Sequence, residues 1–531
     1  MTTTEKPAAR VVLGDEAVAL GALHAGVTAA YGYPGTPSTE ILEYLLRTSG
    51  PGPKVAWCAN EKTAYEAAIG VSMVGRRALV TMKHVGLNVA ADPFINSALV
   101  EIGGGLVVAV ADDPGMHSSQ NEQDSRYYAD FARILCLEPS DQQEAYAMTR
   151  RAFDLSEQFH IPVLIRLVTR LAHSRSVVIP AQPQAESPLG VLPDGSEWTL
   201  LPANARRRYS DLLDRQPALL AYSEQAAVLQ LASSELGVIT TGIARNYFLE
   251  CQAELDCQSS HLHIGTYPIP IEAVRQLAGH VDRIVVLEDG YPYVERLLRG
   301  LLPEPVPIDG KLNGRVPASG ELDPDVVRQA IDGEDRRPAG LPDLAGRPPQ
   351  LCRGCPHADS FHALIDAIVE LEGPLVCSDI GCYTLGALPP FRAIQSCVCM
   401  GASIGMARGA VDAGYRPAIA VIGDSTFLHS GMTPLLDAVA DDTDLTVLIL
   451  DNHTVAMTGT QPTLVPSDRL PVIVQGLGVD PDHLHVLRAS HKGEADLVAA
   501  IKKEIDHRGV SVIIAERPCI EAVKRIRKER S

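Results

Sequence analysis

Residues 418–425 read AIAVIGDS and residues 445–452 read LTVLILDN, two apolar runs that both end in polar residues. Short apolar runs that alternate with helical segments are typical of parallel sheets covered on both faces. The runs place Asp424 and Asn452 at the carboxyl ends of neighbouring strands, where open α/β sheets bind ligands. Asp and Asn offer hard oxygens, and Mg²⁺ takes one or two such ligands together with phosphate oxygens. The pattern therefore predicts that Asp424 and Asn452 hold Mg²⁺ and, through it, a diphosphate.

The residues around these strand ends decide between a cofactor site and ordinary polar strand ends, which any α/β protein has. Gly423 precedes Asp424, Ser425 follows it, and Gly431 lies a few residues on; glycine lets backbone approach phosphates closely. Residues 452–459 read NHTVAMTG and contain the Met-Thr-Gly turn that is typical of thiamine diphosphate enzymes. We therefore predict thiamine diphosphate as the cofactor, bound by Gly423, Asp424, Ser425, Asn452 and Thr458.

A second motif lies near the N-terminus, where Glu61 opens the helical segment NEKTAYEAAIGVSMVG at 60–75 after a short predicted strand, Val55–Cys58. Thiamine diphosphate is activated when a carboxylic acid hydrogen-bonds N1′ of its pyrimidine, because this favours the imino tautomer that can take the proton from thiazolium C2. We predict that Glu61 is this acid. The alternative is a favourable charge at a helix N-terminus, worth at most about 1 kcal/mol.

Length, charge and cysteine usage limit the remaining possibilities. A chain of 531 residues is expected to form about three domains of ~150 residues. A net charge of −19 argues against a nucleic-acid partner, which needs clustered Lys and Arg; the one basic run, KRIRKER at 524–530, is predicted to be a helix end. Neither a signal peptide nor a run of ~18 apolar residues is present, so we expect a cytoplasmic protein with no membrane segment.

The predicted fold class is α/β with three domains, in which two doubly wound parallel sheets that bind thiamine diphosphate flank a smaller α/β domain. The predicted parts are a pyrimidine-binding domain at 1–172, a linker at 173–215, a transketolase C-terminal-like domain at 216–315, a second linker at 316–350 and a diphosphate-binding domain at 351–531. The predicted strands are Ala78–Met82, Leu106–Asp112, Pro162–Val168, Gly237–Thr241, Arg283–Glu288, Leu375–Ser378, Ala418–Ile422, Thr446–Leu450 and Val512–Ala515. Helices are predicted over 15–30, 61–75 and 87–101.

With these motifs placed, nearly the whole chain resembles the alpha-subunit family of the indolepyruvate ferredoxin oxidoreductases, which are thiamine-dependent 2-oxoacid oxidoreductases. Long multi-residue agreements carry the resemblance. They are YPGTPSTE at 33–40, ALVTMKHVGLNVAADP at 78–93, ADDPGMHSSQNEQDSRYYA at 111–129, CRGCPH at 352–357, SDIGCYTLG at 378–386, CMGASIG at 399–405 and GDSTFLHSGM at 423–432.

The resemblance implies roles for residues at matching positions. Glu61 matches the glutamate that activates the pyrimidine, and Thr36 matches a residue that faces the substrate carboxylate. The implied Mg²⁺ ligands are Asp424, Asn452 and the carbonyl of Thr454. The implied wall beside the diphosphate and thiazolium consists of Cys352, His357, Asp379, Gly381 and Cys382. His453 occupies a position where the family is expected to hold Arg.

The resemblance implies oxidative decarboxylation of an aryl 2-oxoacid, such as indolepyruvate or phenylpyruvate, to the aryl-acetyl-CoA. It also implies a beta subunit, a homodimer of alpha chains in which the two half-sites meet, and an α2β2 assembly. The family's ferredoxin-like tail with its C-x-x-C-x-x-C-x-x-x-C-P runs is missing, so we expect no iron–sulfur cluster in this chain and an external electron acceptor. A non-oxidative decarboxylase or carboligase stays open as the alternative, and a degenerate binding subunit as a third interpretation.

Histidines and cysteines in the motifs leave further alternatives. His84 and His117 are the candidate proton donors near C2, since His carries protons at neutral pH; a hydrogen-bonded core histidine is the competing interpretation. Lys83 could pair with the substrate carboxylate or be structural. Six cysteines fall between 352 and 399 and could form a metal site, although several coincide with motif positions that need no metal.

Overall fold

The protein is described here from a computed structural model that covers residues 8–48, 52–190, 195–252, 258–302, 306–333 and 349–530. The chain forms two compact units, one that ends at residue 341 and one that starts at residue 342. None of the helices in these ranges combines the length and the apolar character that crossing a bilayer requires.

The first unit is built on a seven-stranded sheet whose central strands are completely buried. The strands lie in the order Thr266–Tyr267, Cys136–Leu137, Val163–Val168, Leu106–Asp112, Ala78–Lys83, Ala29–Gly32 and Lys54–Trp57. All neighbours are parallel except the first pair, which is antiparallel. Helices cover both faces of such a sheet, which is why its central strands are apolar throughout. The helices of this part are Gly14–His24, Thr39–Thr48, Glu61–Met73, His84–Val89, Ala91–Ser97, Arg126–Ala132, Gln142–Phe159 and Thr169–His173.

The chain reverses its winding direction at the strands Ala29–Gly32 and Ala78–Lys83. The chain passes from Ala29–Gly32 to Lys54–Trp57 on one side and then returns to Ala78–Lys83 on the other side. Ligands of open α/β sheets bind at the carboxyl ends of strands at such a switch point. The fold therefore places the turn after Gly32 and the residues around Lys83 at the expected binding edge.

A five-stranded sheet completes the first unit. Its strands lie in the order Ile308–Asp309, Ile284–Leu287, Gly237–Thr241, Ser260–Ile264 and Val228–Gln230, and only the last is antiparallel to its neighbour. The remaining helices of the unit are Gly195–Trp198, Pro202–Ala226, Ala244–Gln252, Ile271–Ala278, Tyr293–Leu301 and Pro324–Asp332. A short antiparallel ladder joins Arg10–Leu13 to Arg175–Val178.

The second unit holds a six-stranded, entirely parallel sheet. Its strands lie in the order Ser396–Cys397, Leu375–Ser378, Ala418–Gly423, Leu445–Asp451, Val510–Glu516 and Leu484–Arg488. Its helices are Pro356–Ile368, Ala402–Asp412, Asp424–Thr426, Met432–Ala440, Leu470–Gly476, Glu494–Ile505 and Ile520–Arg530, and the π-helical turn Phe427–Gly431 joins the third to the fourth. Short 3₁₀ turns lie at Cys382–Ala387, Ser467–Arg469, Pro481–His483 and His491–Gly493. The winding direction reverses between Leu375–Ser378 and Ala418–Gly423, so Asp379 and Asp424 follow the two strands of the switch point.

The α/β class with several parallel-sheet domains is confirmed, and so are the ten predicted strands, Val55–Cys58 included, within two residues at their ends. Two predicted helices are wrong in extent. The helix predicted over 15–30 ends at His24 and is followed by the strand Ala29–Gly32, and the helix predicted over 87–101 is two short helices, His84–Val89 and Ala91–Ser97. The stretch predicted as a linker at 173–215 contains more than half of the 25-residue helix Pro202–Ala226. Much of the second predicted linker, residues 334–348, lies outside the described residues, and the domain boundaries stay a prediction.

Candidate active site

Glu61 is the first residue of the helix Glu61–Met73 and is buried, with 5% of its surface exposed. The preceding residue, Asn60, caps the helix by accepting a hydrogen bond from the Thr63 amide at 2.9 Å. The helix end therefore does not depend on the Glu61 carboxylate for its cap. The carboxylate lies directly over Gly86, where a Cβ atom would stand 2.5 Å from Glu61 Oε1. Gly86, in the next helix of the chain, thus leaves the space that this carboxylate occupies.

Lys83 connects Glu61 to the turn that carries Thr36. Its Nζ donates to the Ser118 carbonyl at 3.1 Å, and its side chain packs against Gly35. Burial lowers the pKa of Lys83 to about 8, while the charges of Asp113 and Glu61 act in the opposite direction. The Ser118 hydroxyl in turn donates to the Thr36 carbonyl at 3.3 Å. The predicted residues Thr36, Glu61 and Lys83 are therefore gathered at the switch point of the first sheet.

The two histidines proposed as proton donors differ in their surroundings. His84 is buried; its Nε2 donates to the Asn121 carbonyl at 3.2 Å, and no hydrogen-bond partner for its Nδ1 occurs in the described ranges. His117 is half exposed, and its Nε2 lies 3.2 Å from Glu321, which also pairs with Arg170. His84 is thus held inside the site, whereas His117 is held at the surface by an acidic partner.

A fully buried ionic network supports the loop that carries His117 and Ser118. Arg126 and Arg166 have no exposed side-chain surface; Arg166 pairs with Asp112 at 2.6 Å and Arg126 with Glu288 at 2.9 Å. Asp113, next to Asp112, accepts from the Ser118 amide at 2.8 Å and so sets the position of Ser118. The network therefore anchors both ends of the loop between Asp112 and Asp124, because Asp112 pairs with Arg166 and Asp124 pairs with Arg126.

In the second unit, two buried carboxylates lie side by side at the strand ends Gly423 and Asp451. Burial, followed by the charge of Asp451, raises the pKa of Asp424 well above its usual value. Asp451 Oδ1 accepts from the Ser467 hydroxyl at 2.9 Å and the His453 amide at 3.1 Å. Its Oδ2 is buried, and none of the described residues donates a hydrogen bond to it. Adjacent buried carboxylates of this kind require a proton or a cation.

Asn452 and Thr454 follow these carboxylates on a loop whose ends are joined by backbone pairing. Asn452 Oδ1 accepts from the Thr454 amide at 3.1 Å, and its Nδ2 donates to His357 Nε2 at 3.2 Å. The ladder Thr454–Val455 with Gln461–Pro462 closes the loop, and the Thr458 hydroxyl donates to Gln461 Oε1 at 2.6 Å. The His453 amide of this loop hydrogen-bonds the Asp424 carboxylate, and the loop also carries the Asn452 amide oxygen and the Thr454 backbone carbonyl. These are hard oxygens, and they fit a Mg²⁺ ion that also binds phosphate.

Tyr383 explains the two glycines at the switch point in a way that the sequence analysis missed. A Cβ at Gly381 would lie 2.4 Å from the Tyr383 ring, and one at Gly423 would lie 2.6 Å from it. The Tyr383 hydroxyl lies 3.1 Å from both the Ile380 carbonyl and the Thr426 hydroxyl. The ring therefore needs glycine on both sides, whereas close approach of phosphate to Gly423 stays a prediction.

Asp379 and His357 are buried polar groups with unused hydrogen-bonding capacity. Asp379 Oδ2 accepts from the Ser403 amide at 3.1 Å, and its Oδ1 has no partner in the part of the chain that the structure describes. Burial raises the pKa of Asp379 to about 6, and hydrogen bonds from Ser403 limit the rise. Burial, with a smaller effect of Arg517, lowers the pKa of His357 to about 4, so its imidazole is neutral near pH 7.

Four thiols line one small cavity of about 100 Å³ together with His357 and Asn452. They belong to Cys352, Cys355, Cys382 and Cys519. Burial and the neighbouring thiols raise the pKa of Cys382 to about 12. The Cys519 amide donates to the Asn452 carbonyl at 3.0 Å, which ties this distant residue to the predicted metal site. Sequence reasoning missed Cys519 because only the fold brings it to the other three cysteines.

Comparisons with known proteins match both of the regions that carry the candidate site. Residues 20–192 match the family described as pyruvate flavodoxin/ferredoxin oxidoreductase, thiamine diP-bdg. Residues 379–515 match the thiamine pyrophosphate enzyme, C-terminal TPP binding domain. The chain is 35% identical to the indolepyruvate oxidoreductase subunit IorA of Archaeoglobus fulgidus, over 97% of this chain and 87% of the relative. It is 37% identical to the subunit of the same name from Methanothermobacter thermautotrophicus, over 96% of this chain and 86% of the relative.

Among solved structures, the chain is similar in fold to a 2-oxoglutarate:ferredoxin oxidoreductase from Magnetococcus marinus, solved with 2-oxoglutarate, coenzyme A and succinyl-CoA bound. The TM-score is 0.51 at 15% identity, and the match covers 61% of this chain and 65% of the solved one. At this level of identity the match concerns the fold alone, and it agrees with the parallel sheets described above.

Proposed function

Because the chain belongs to the family of the indolepyruvate oxidoreductase subunit IorA, we propose that it decarboxylates an aryl 2-oxoacid oxidatively to the aryl-acetyl-CoA. The chain is a thiamine diphosphate-dependent 2-oxoacid oxidoreductase. Four features of the reaction are proposed: an aryl substrate of the indolepyruvate or phenylpyruvate type, Mg²⁺ as the metal, coenzyme A as the acyl acceptor, and a beta subunit as the partner. The relatives are named as a subunit, which supports a partner chain for this protein. The solved 2-oxoglutarate:ferredoxin oxidoreductase binds coenzyme A, and we propose the same acyl acceptor for this chain.

The carboxylate pair at the second switch point carries this proposal. We assign Asp424, Asn452 and the Thr454 carbonyl to Mg²⁺, which would neutralise the buried charge of Asp424 and Asp451. When bound, thiamine diphosphate supplies the electron sink for cleavage of the bond to the carboxylate carbon. Gly423, Ser425 and Thr458 are proposed to bind the cofactor, with Cys352, His357, Asp379, Gly381 and Cys382 as the adjoining wall.

On the pyrimidine side, the chain supplies groups that hold and move protons. Glu61 is proposed to hold a proton against pyrimidine N1′, in the position that Gly86 leaves open. Lys83, whose pKa is about 8, can carry a positive charge at neutral pH to attract the substrate carboxylate, with Thr36 beside it. His84 and His117 remain the proposed proton donors; the burial of His84 favours it for a step from which water is excluded.

The two half-sites lie on different compact units. We propose that they combine across a homodimer, as the family resemblance implies, within an α2β2 assembly. A monomer should then bind cofactor weakly and lack activity. Light scattering of the purified chain during dilution, with activity followed in parallel, tests this arrangement.

Two electron acceptors are possible for the proposed oxidation: an external acceptor, or an iron–sulfur cluster bound by this chain. The sequence predicts an external acceptor and no iron–sulfur cluster in this chain. The cavity lined by Cys352, Cys355, Cys382 and Cys519 favours the other acceptor, because four cysteine thiolates are the usual ligands of such a cluster. Iron and acid-labile sulfide, measured after anaerobic purification of wild type and Cys519→Ser, decide between them. Iron in the wild type but not in Cys519→Ser would place the redox centre in this four-cysteine cavity. Absence of iron from both proteins would place the redox centre in the partner subunit.

Product analysis tests the proposed reaction. The chain is purified with and without its beta-like partner and supplied with indolepyruvate or phenylpyruvate, coenzyme A and an electron acceptor. The complete system should form the aryl-acetyl thioester, identified by mass, and 2-oxoglutarate should be a poor substrate. Aldehyde as the only product with every component present would instead support the non-oxidative decarboxylase.

A further inference from the structure

A second cluster of metal-binding side chains lies in the first unit and takes no part in the reaction proposed above. Asp15, Glu40 and His173 bring one ligand atom each to within 4.8 Å of one another, the one such group of three or more that the described residues contain. They come from three helices, Gly14–His24, Thr39–Thr48 and Thr169–His173.

Asp15 is fully buried, and its carboxylate points into this cluster. No donor in the described part of the chain reaches either of its oxygens. The neighbouring Glu16 does have partners: Arg47 at 2.9 Å and the Leu13 amide at 3.0 Å. A buried carboxylate without hydrogen bonds is strongly disfavoured unless a proton or a cation compensates it. The local arginine is thus engaged by Glu16, and the Asp15 carboxylate is left facing Glu40.

The backbone is shaped to hold this arrangement. A Cβ at Gly14 would lie 2.2 Å from the Leu171 carbonyl, so only glycine lets the start of this helix rest on that backbone. This contact sets Asp15 close to His173, and His173 Nε2 lies 3.5 Å from Glu40 Oε2. Glu40 and His173 are about one-third exposed, which leaves an entry path from solvent.

We propose that Asp15, Glu40 and His173 bind one divalent transition-metal cation of the Zn²⁺ or Mn²⁺ class. Two carboxylate oxygens and one imidazole nitrogen are the ligand types that these ions accept, and water can complete the coordination. Burial and the charge of Glu40 raise the pKa of Asp15 well above its usual value, and the hydrogen bond with Glu40 raises the pKa of His173. A divalent ion must therefore displace protons from these groups, so metal binding should strengthen as pH rises.

The expected role is structural. Glu40 directly follows the turn that carries Thr36, and this turn is closed by the Gly35 amide, which donates to the Thr39 hydroxyl at 3.0 Å. A metal at Glu40 would tie this turn to the two other helices. It should therefore raise the melting temperature and need not alter the chemical step.

Metal binding is measured on the full chain with thiamine diphosphate and Mg²⁺ in excess, so that the cofactor site is filled. Co²⁺ serves as the probe, because its visible d–d bands report oxygen and nitrogen ligands, and a thiolate charge-transfer band would report the cysteines. Zn²⁺ stoichiometry after dialysis and the melting temperature are measured in parallel. The variants are Asp15→Asn and His173→Gln, and Glu16→Gln is the control on the same helix turn.

We expect wild type and Glu16→Gln to bind one equivalent without a thiolate band, and both to melt at a higher temperature with Zn²⁺. Asp15→Asn and His173→Gln should bind at least about tenfold more weakly. Asp15→Asn should fold in the absence of metal, since it removes a buried charge at constant size. Equal binding by wild type and Asp15→Asn, or a spectrum dominated by thiolate bands, would overturn the proposal; the two carboxylates would then share a proton.

Discussion

Replacing Gly86 with alanine should displace the carboxylate that we assign to cofactor activation. The added Cβ would lie 2.5 Å from Glu61 Oε1 and 2.8 Å from its carboxyl carbon. Since non-bonded heavy atoms settle at about 3.5 Å, the carboxylate has to move by about 1 Å. A displacement of about 1 Å in a catalytic group costs about 10²-fold in rate, or about 2.7 kcal/mol of transition-state stabilisation.

The assay is exchange of the thiazolium C2 proton in D₂O, followed by NMR on the cofactor-loaded protein. Gly70→Ala is the matched control, because Gly70 lies on the same helix as Glu61 and no described atom beyond its chain neighbours and its own helix backbone comes within 4 Å of its Cβ position. We expect exchange to slow about 10²-fold in Gly86→Ala and to stay unchanged in Gly70→Ala. Wild-type exchange in Gly86→Ala would refute the placement of Glu61 at the cofactor.

Three further predictions follow from individual contacts. Glu61→Gln should bind cofactor but slow C2 proton exchange by about 10²-fold or more, and unchanged exchange would leave Glu61 as a helix-end charge. Gly423→Ala places a Cβ 2.6 Å from the Tyr383 ring. Cofactor binding, measured by calorimetric titration, should become at least about tenfold weaker, as expected when a group that supports a metal site is moved. Gly405→Ala is the neutral control. Lys83 has a pKa of about 8 in the folded chain against 10.5 ordinarily. Unfolding therefore takes up a proton between these pH values, and stability should rise with pH across this window by at most about 3 kcal/mol. Lys83→Met should lack this rise in chemical unfolding at several pH values, and equal slopes for both proteins would contradict the lowered pKa.

The predicted strand ends were accurate because apolar runs that end in polar residues identify the carboxyl ends of strands. Asp424 and Asn452 follow neighbouring parallel strands as predicted. The first two residues of the strand Ala29–Gly32 were assigned to the helix predicted over 15–30, because small apolar residues continue the preceding apolar pattern without a Pro or charge break. Ser260–Ile264, which reads SHLHI, was missed because its two histidines disguise a buried strand.

Contacts between distant parts of the chain could not be derived from local pattern. The fit of Glu61 over Gly86, the ring of Tyr383 between two glycines and the arrival of Cys519 beside Cys382 all depend on how the elements pack. The buried pair of Asp424 and Asp451 is similar: the motif shows two acidic strand ends, and only the parallel register makes them neighbours. Such side-chain pairs are set by tertiary structure, which spacing along the sequence does not encode.

The central claim is that Asp424 and Asn452 hold thiamine diphosphate through Mg²⁺. Calorimetric titration with thiamine diphosphate, with and without Mg²⁺, tests it on wild type, Asp424→Asn and the exposed-site control Asp482→Asn. Asp424→Asn should keep its fold by circular dichroism, since it removes a buried charge at constant size. We predict Mg²⁺-dependent binding in wild type and the control, and binding at least about 10²-fold weaker in Asp424→Asn, as loss of a metal ligand implies. Equal binding by Asp424→Asn, or wild-type binding that does not depend on Mg²⁺, would contradict the account.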